Sequence, residues 1–184
     1  TCIFLRSENE QEVKLHLVFA KNRITPIKDT ELTIPRIELM GATLGARLYD
    51  ALLVNDLFKT MDVTFWTDSM VVLHWIRENK KYQPFVNNRV KDIFNLTKSA
   101  NKWRHVPGQQ NPADLLTRGC QATKLAENHW WTGPAWLRHP PTEWPSEVTD
   151  TAIDLVSVEV APDRDHSLIP KLNHAKIIWM QYAC

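Results

Sequence analysis

The chain reads as an α/β domain built on one mixed sheet. Three observations predict this class. The first 20 residues hold two strand-like runs that fit an antiparallel hairpin. Further on, short strands alternate with runs of helical periodicity, the pattern of parallel strands joined by helices. Between them Asp62-Val63-Thr64-Phe65-Trp66-Thr67-Asp68-Ser69 reads as a strand that ends on a carboxylate and hands over to a helix at Met70. That handover lies at the carboxyl edge of a sheet, where α/β folds place ligands and chemistry.

The elements are taken in order. Residues 2–6 form a first strand and residues 7–11 a polar turn. In residues 12–20, Val13, Leu15, Leu17 and Phe19 alternate with Lys14 and His16, which predicts a strand with one buried face. Residues 21–32 read as a loop. A helix is expected from Thr33 to about Asn55, with Pro35 and Glu38 in its first turn. Its stripe is Ile37, Met40, Leu44, Leu48 and Leu52, and Gly41, Ala42, Gly45 and Ala46 allow close packing. The strand 62–67 leads to helices at 70–78 and 85–96, then a short strand at 102–106. Asn111 and Pro112 fit the cap and first position of another helix, with Asp114 third and Gly119 at its end.

This divides the chain into a domain at 1–120, a Trp/Pro-rich strap at 121–145 and an acidic tail at 146–184, with a short helix expected within 168–184. Composition is ordinary for a globular protein, with 43% hydrophobic residues and a net charge of +1. Charge is unevenly spread. Residues 1–120 carry 17 basic and 13 acidic side chains, and residues 121–184 carry 5 and 8. A basic front and acidic tail favour nucleic acid weakly as a partner. Cys2, Cys120 and Cys184 are far apart and odd in number, so a reducing, intracellular setting is expected. No apolar run approaches the ~20 residues of a membrane span. The opening Thr1-Cys2-Ile3-Phe4-Leu5 suggests a chain entered within a strand, hence a fragment.

Glu38, Asp68 and Asp114 each stand at an element end that can share one sheet edge. Each has a plain alternative role: Glu38 as an acid favoured by the helix dipole, Asp68 and Ser69 as caps. Converging there, three carboxylates would need a cation, and hard oxygen donors suit Mg²⁺ or Mn²⁺. Two such ions can activate water and stabilise a leaving oxygen on a phosphodiester. Cys120, His129 and His139 lack zinc-site spacing. Residues 77–104 add Arg77, Lys80, Lys81, Arg89, Lys91, Lys98, Lys102 and Arg104, interleaved with Trp75, Tyr82, Phe85 and Trp103. That pattern fits phosphate neutralisation and base stacking, or equally a solvated helix face with core aromatics.

Three motifs carry a family resemblance: Ile34-Pro35-Arg36-Ile37-Glu38-Leu39; Phe65-Trp66-Thr67-Asp68-Ser69 with Val71-Val72-Leu73-His74-Trp75; and Trp103-Arg104-His105-Val106-Pro107-Gly108 with Asn111-Pro112-Ala113-Asp114-Leu115 and Arg118-Gly119. In that order and spacing they resemble the ribonuclease H region of BEL/Pao-type LTR retrotransposon polyproteins, and the last also resembles gypsy-type ribonucleases H. Trp130-Trp131-Thr132-Gly133-Pro134-Ala135-Trp136-Leu137 is similar to the segment after that domain in Pao elements. The resemblance covers about residues 1–140.

The resemblance implies a ribonuclease H-like fold with a mixed five-stranded sheet flanked by helices. It implies hydrolysis of the RNA strand of an RNA/DNA hybrid with two divalent metals, Mg²⁺ or Mn²⁺. Of the family's four acids, Glu38, Asp68 and Asp114 match the second, third and fourth. Arg77, Lys80, Lys81, Arg89, Lys91, Arg104 and His105 are the expected nucleic-acid contacts. The first acid comes from a central first strand, which this sequence lacks. The chain is therefore expected to be a truncated nuclease or a catalytically inactive binding remnant. Reverse transcriptase and integrase are its implied polyprotein neighbours. A cytoplasmic retroelement particle is its implied location, with the nucleus as the alternative. An aspartic protease is excluded for this segment, because Thr67-Asp68-Ser69 is not the Asp-Thr/Ser-Gly loop such enzymes need.

Overall fold

A computed structural model of the chain describes residues 1–24, 32–78, 80–115, 123, 130–146 and 175–181, the last as backbone only. Among these residues the strands are β1 (Cys2–Glu8), β2 (Val13–Ala20), β3 (Asp62–Thr67), β4 (Trp103–His105) and β5 (Ala175–Gln181). The helices are α1 (Ile34–Leu52), α2 (Asp56–Lys59), α3 (Met70–Glu78) and α4 (Pro84–Thr97). The strands form one sheet in the order β2-β1-β5-β3-β4. β1 pairs antiparallel with β2 and β5, and β3 pairs parallel with β5 and β4. The sheet is thus mixed, with helices packed on it.

Local chemistry explains the elements. The hairpin turn closes where the Asn9 carboxamide oxygen accepts from the Gln11 and Glu12 amides, both at 2.9 Å. In α1, Ala42 and Ala46 are fully buried and Gly45 is buried beside them, which lets the helix lie close to its neighbours. Arg47 of α1 pairs with Asp92 of α4 at 2.9 Å, at the solvent rim of the interface between the two helices. α4 stops where Lys98 adopts a left-handed conformation (φ 57°) and its amide bonds the Phe94 carbonyl.

The two faces of the sheet are covered differently. Ile3, Val63, Phe65 and Trp103 join Leu39, Ala42, Val72, Ile76, Val90 and Ile93 in a core under the helices. Phe65 stacks on Trp103 at 4.8 Å and meets Tyr49 edge-on at 5.3 Å. On the opposite face, Cys2, Phe4, Leu15, Trp66 and Val106 pack against Trp130, Leu137 and Trp144. Residues 130–146 therefore lie against the sheet, with short 3-10 turns at Ala135–Arg138 and Pro141–Glu143. The Leu17 amide donates to the Trp131 carbonyl at 3.3 Å, and buried Arg6 donates through Nε to the Leu137 carbonyl at 2.8 Å. Cys2 is fully buried, and burial pushes its thiol pKa up to about 12.

Gly133 turns this segment with φ +70°, and a Cβ there would come within 3.1 Å of Leu15 Cδ1. Gly133→Ala adds both left-handed strain and a close approach to the sheet. It is expected to cost about 1–2 kcal/mol, read as a lower urea midpoint at unchanged slope.

Three expectations need correction. Residues 168–184 were expected to hold a short helix, but residues 175–181 form a strand. The central position expected to be empty is filled by that strand. The third concerns Asp114: its segment is a 3-10 turn, Pro112–Asp114, and residues 116–119 of the expected helix lie outside the described residues, as does 147–174 of the tail.

Candidate active site at the carboxyl edge of the sheet

Asp68 comes directly after the last residue of β3 and is half-buried. Its carboxyl is pushed from an ordinary 3.8 up to about 6. Burial is the main cause. A hydrogen bond from Asn111 opposes it, and the nearby charges of Glu38 and Asp114 add to it. Both other acids named from the sequence thus act on Asp68 at this edge.

Each is placed by its own element. Glu38 lies five residues into α1, one step past the first turn, because the helix begins at Ile34. It is half-buried, and burial raises its carboxyl while the Ser69 hydroxyl, which donates to Glu38 Oε2, lowers it. Ser69 also accepts from the Val72 amide at 3.2 Å, so one hydroxyl caps α3 and orients Glu38. Asp114 ends the turn opened by Asn111, whose carboxamide oxygen accepts from the Ala113 amide at 3.1 Å.

Asn111 has a second role that its sequence position does not reveal. It is 4% exposed and bonds Asp68 while capping the turn that carries Asp114. The cap position is its only local signal, and a cap need have no second partner. Asn111→Ala is expected to cost about 1 kcal/mol as a lost cap and to raise the Asp68 pKa further. Urea titration and carboxyl NMR titration would read the two effects separately. Gly108 is the other close neighbour, where a Cβ would stand 3.8 Å from Asp68 Oδ2.

The basic residues divide. Arg77 is a structural residue: Nε and Nη2 both donate to the Trp103 carbonyl, at 3.2 and 2.7 Å. Arg89 lies 3.4 Å over the Phe85 ring and donates to the Phe85 carbonyl. Lys80 pairs with Glu78 at 2.8 Å. Lys81 and Lys91 are exposed. Arg104 is half-buried, 5.9 Å over the Trp66 ring. His105 lies level with Thr67 across the β3–β4 ladder. Its ring bonds the Asp68 backbone, yet burial dominates and lowers its pKa. Trp75, Tyr82 and Trp103 are core residues, all under 8% exposed, so they are not a stacking platform.

The donors at this edge are of the kind a hard divalent cation takes. They do not form a ready-made cage, since among the described residues no group of three His, Cys, Asp or Glu side chains is set to hold one ion. Mg²⁺ commonly binds through one or two carboxylates and keeps several waters, and Asp68 with its acidic neighbours fits that use. β5, which occupies the centre of the sheet, carries no acid: its sequence is Ala-Lys-Ile-Ile-Trp-Met-Gln.

Fold and site together define a class: a mixed α/β domain with acids at the carboxyl edge of its parallel strands. Residues 1–69 match the Pao retrotransposon-like RNaseH-like domain. This match supports a Pao-type ribonuclease H region. It runs from β1 to just past β3 and includes Glu38 and Asp68, while Asp114 lies beyond it. Comparison with curated proteins and with solved structures gives no match. Among the described residues, no helix is long and apolar enough to cross a membrane.

Proposed function

We propose that this chain is the ribonuclease H region of a Pao-type retroelement polyprotein and hydrolyses the RNA strand of an RNA/DNA hybrid. The observation that carries the reading is that Glu38 and Asp114 both stand near enough to Asp68, at one sheet edge, to act on its charge. Bound Mg²⁺ or Mn²⁺ would supply an activated water and charge stabilisation for the departing oxygen. Asp68 and Glu38 would hold it, with Asp114 nearby to hold a second ion and orient the water. Asn111 keeps the Asp68 carboxylate aimed, and Ser69 does the same for Glu38. The direct test is cleavage of an end-labelled hybrid with Mg²⁺, Mn²⁺ or EDTA. No metal-dependent cutting by a folded chain would defeat the nuclease reading.

The nucleic-acid surface would rest on the exposed lysines. Charge reversal of Lys81 and Lys91 to Glu is expected to weaken hybrid binding without sequence preference. The slope of log affinity against log salt should fall by about one for each phosphate that is no longer neutralised. Binding measured at several salt concentrations checks this, and an unchanged slope would move the nucleic-acid surface elsewhere.

A second reading is a retroelement-derived remnant that binds nucleic acid or protein without catalysis. The absence of an acid from β5 favours it, because the position that should supply a further ligand supplies none. Hybrid binding unaffected by Mg²⁺, with no cleavage, is its signature.

A further inference from the structure

The centre of the sheet is assembled from the far end of the sequence. β1 and β3 do not pair with each other; β5 lies between them. It pairs with β1 from Cys2↔Met180 to Ser7↔Ala175 and with β3 from Asp62↔Lys176 to Thr67↔Gln181. On both flanking strands the adjoining side chains are core: Ile3, Phe4, Phe65 and Trp66 are at most 1% exposed. Without β5, two backbone edges would face each other across a gap of about one strand, roughly 9–10 Å between their axes, each with unpaired amides and carbonyls.

We infer that this slot is a strand-acceptor site, and that two copies of the chain can complete each other by exchanging residues 175–181. The ladder that holds β5 is the same whichever copy supplies it, so exchange changes only the connection. That connection, from Ser146 to Ala175, spans residues 147–174, enough at about 3.3–3.6 Å per residue to reach well beyond its own sheet. Exchange of an identical element is a low-cost route to dimers. A strand joined to its own sheet competes with one from a second copy at an effective concentration of order millimolar. The monomer therefore prevails at micromolar protein, and exchange appears on refolding at concentrations approaching that value. The exchange also places a partner residue at the candidate site, since Gln181 lies level with Thr67, one residue before Asp68. The inference rests on strand pairing and stands whether or not the chain is a nuclease.

Paired cysteines test it in the full-length chain with Cys2, Cys120 and Cys184 replaced by Ala. A chain carrying both Thr67→Cys and Gln181→Cys is the control: it should close a disulfide within itself, because paired strand positions have Cα separations suited to one. Failure to close would show that β5 does not occupy the slot and would overturn the proposal. Chains carrying only Thr67→Cys are then refolded together with differently tagged chains carrying only Gln181→Cys, at several hundred micromolar. Oxidation should give a cross-linked heterodimer, with at least a tenfold lower yield when the same mixture is refolded at about 1 µM. A control that closes, beside a mixture that gives no heterodimer at either concentration, would sink the exchange.

Discussion

Asp68→Asn is expected to reduce metal-dependent hybrid cleavage by at least about a hundredfold, the scale on which one lost charge-stabilising group lowers turnover. The same change should make the metal-free protein more stable at neutral pH. The folded carboxyl titrates near 6 and the unfolded one near 3.8. Between those values the folded state holds the proton more tightly, so stability falls as pH rises through about 4 to 6. Above 6 the folded protein carries a carboxylate among Glu38 and Asp114 at a full cost. Asn removes that charge and keeps a polar group beside Asn111. After discounting for the half-exposed position, the gain is about 1 kcal/mol. Urea midpoints of parent and mutant at pH 4 and pH 7.5 would show it: the two curves should lie closer at the lower pH. A mutant that loses cleavage and also loses stability at neutral pH would instead mark Asp68 as structural. Added Mg²⁺ should stabilise the parent more than the mutant, because a ligand that binds only the folded state raises apparent stability by mass action.

Much of this edge was legible because each acid stands beside a local signal. Asp68 ends a strand of aromatic and β-branched residues, and Asp114 stands three residues after an Asn with Pro between. Glu38 is legible from the helix start at Pro35, though its turn is not, since helix starts shift by a residue or two. The expected stripe is offset as well, because Leu39, Ala42 and Ala46 are fully buried while Ile37, Met40 and Leu44 are only partly so. The roles of the interleaved basic and aromatic residues were not readable. Trp75 and Trp103 occupy the core, and Arg77 spends its donors on a backbone carbonyl. Nothing in the local pattern separates those positions from exposed Lys81 and Lys91. The alternation in residues 12–20 predicts a strand with one buried face. The structure covers both faces, so Leu15 packs toward residues 130–146 and Val18 toward the helices.

Residues 175–181 show the sharper limit. A short apolar run such as Lys176-Ile177-Ile178-Trp179-Met180 fits strand or helix equally by periodicity. What decides it is the slot between β1 and β3, a tertiary feature created by residues more than 100 positions earlier.

The largest stability loss is expected from Trp66→Ala, and its consequence should be directional. Trp66 is fully buried on the face opposite the helices. Trp136 meets its ring edge-on at 4.8 Å, and Trp144 at 6.1 Å. Removing the indole takes away the surface on which residues 130–146 are seated, at a cost of about 3–5 kcal/mol. Its Nε1 has no hydrogen-bond partner among the described residues, so the loss is one of packing and no polar partner is stranded. Trp103→Ala should cost a similar amount, yet it hollows the opposite core, where Phe65 stacks on it at 4.8 Å. The two variants are therefore distinguishable beyond their midpoints. Trp66→Ala should expose residues 130–146 to proteolysis and amide exchange under native conditions while the helices stay protected, because that segment loses its seat before the sheet loses its helices. Trp103→Ala should weaken protection in α3 and α4 instead. Equal loss of protection on both faces in the Trp66 variant would mean that the two cores unfold as one unit. The segment from Trp130 to Trp144 would then be an integral layer of the domain and no separable strap.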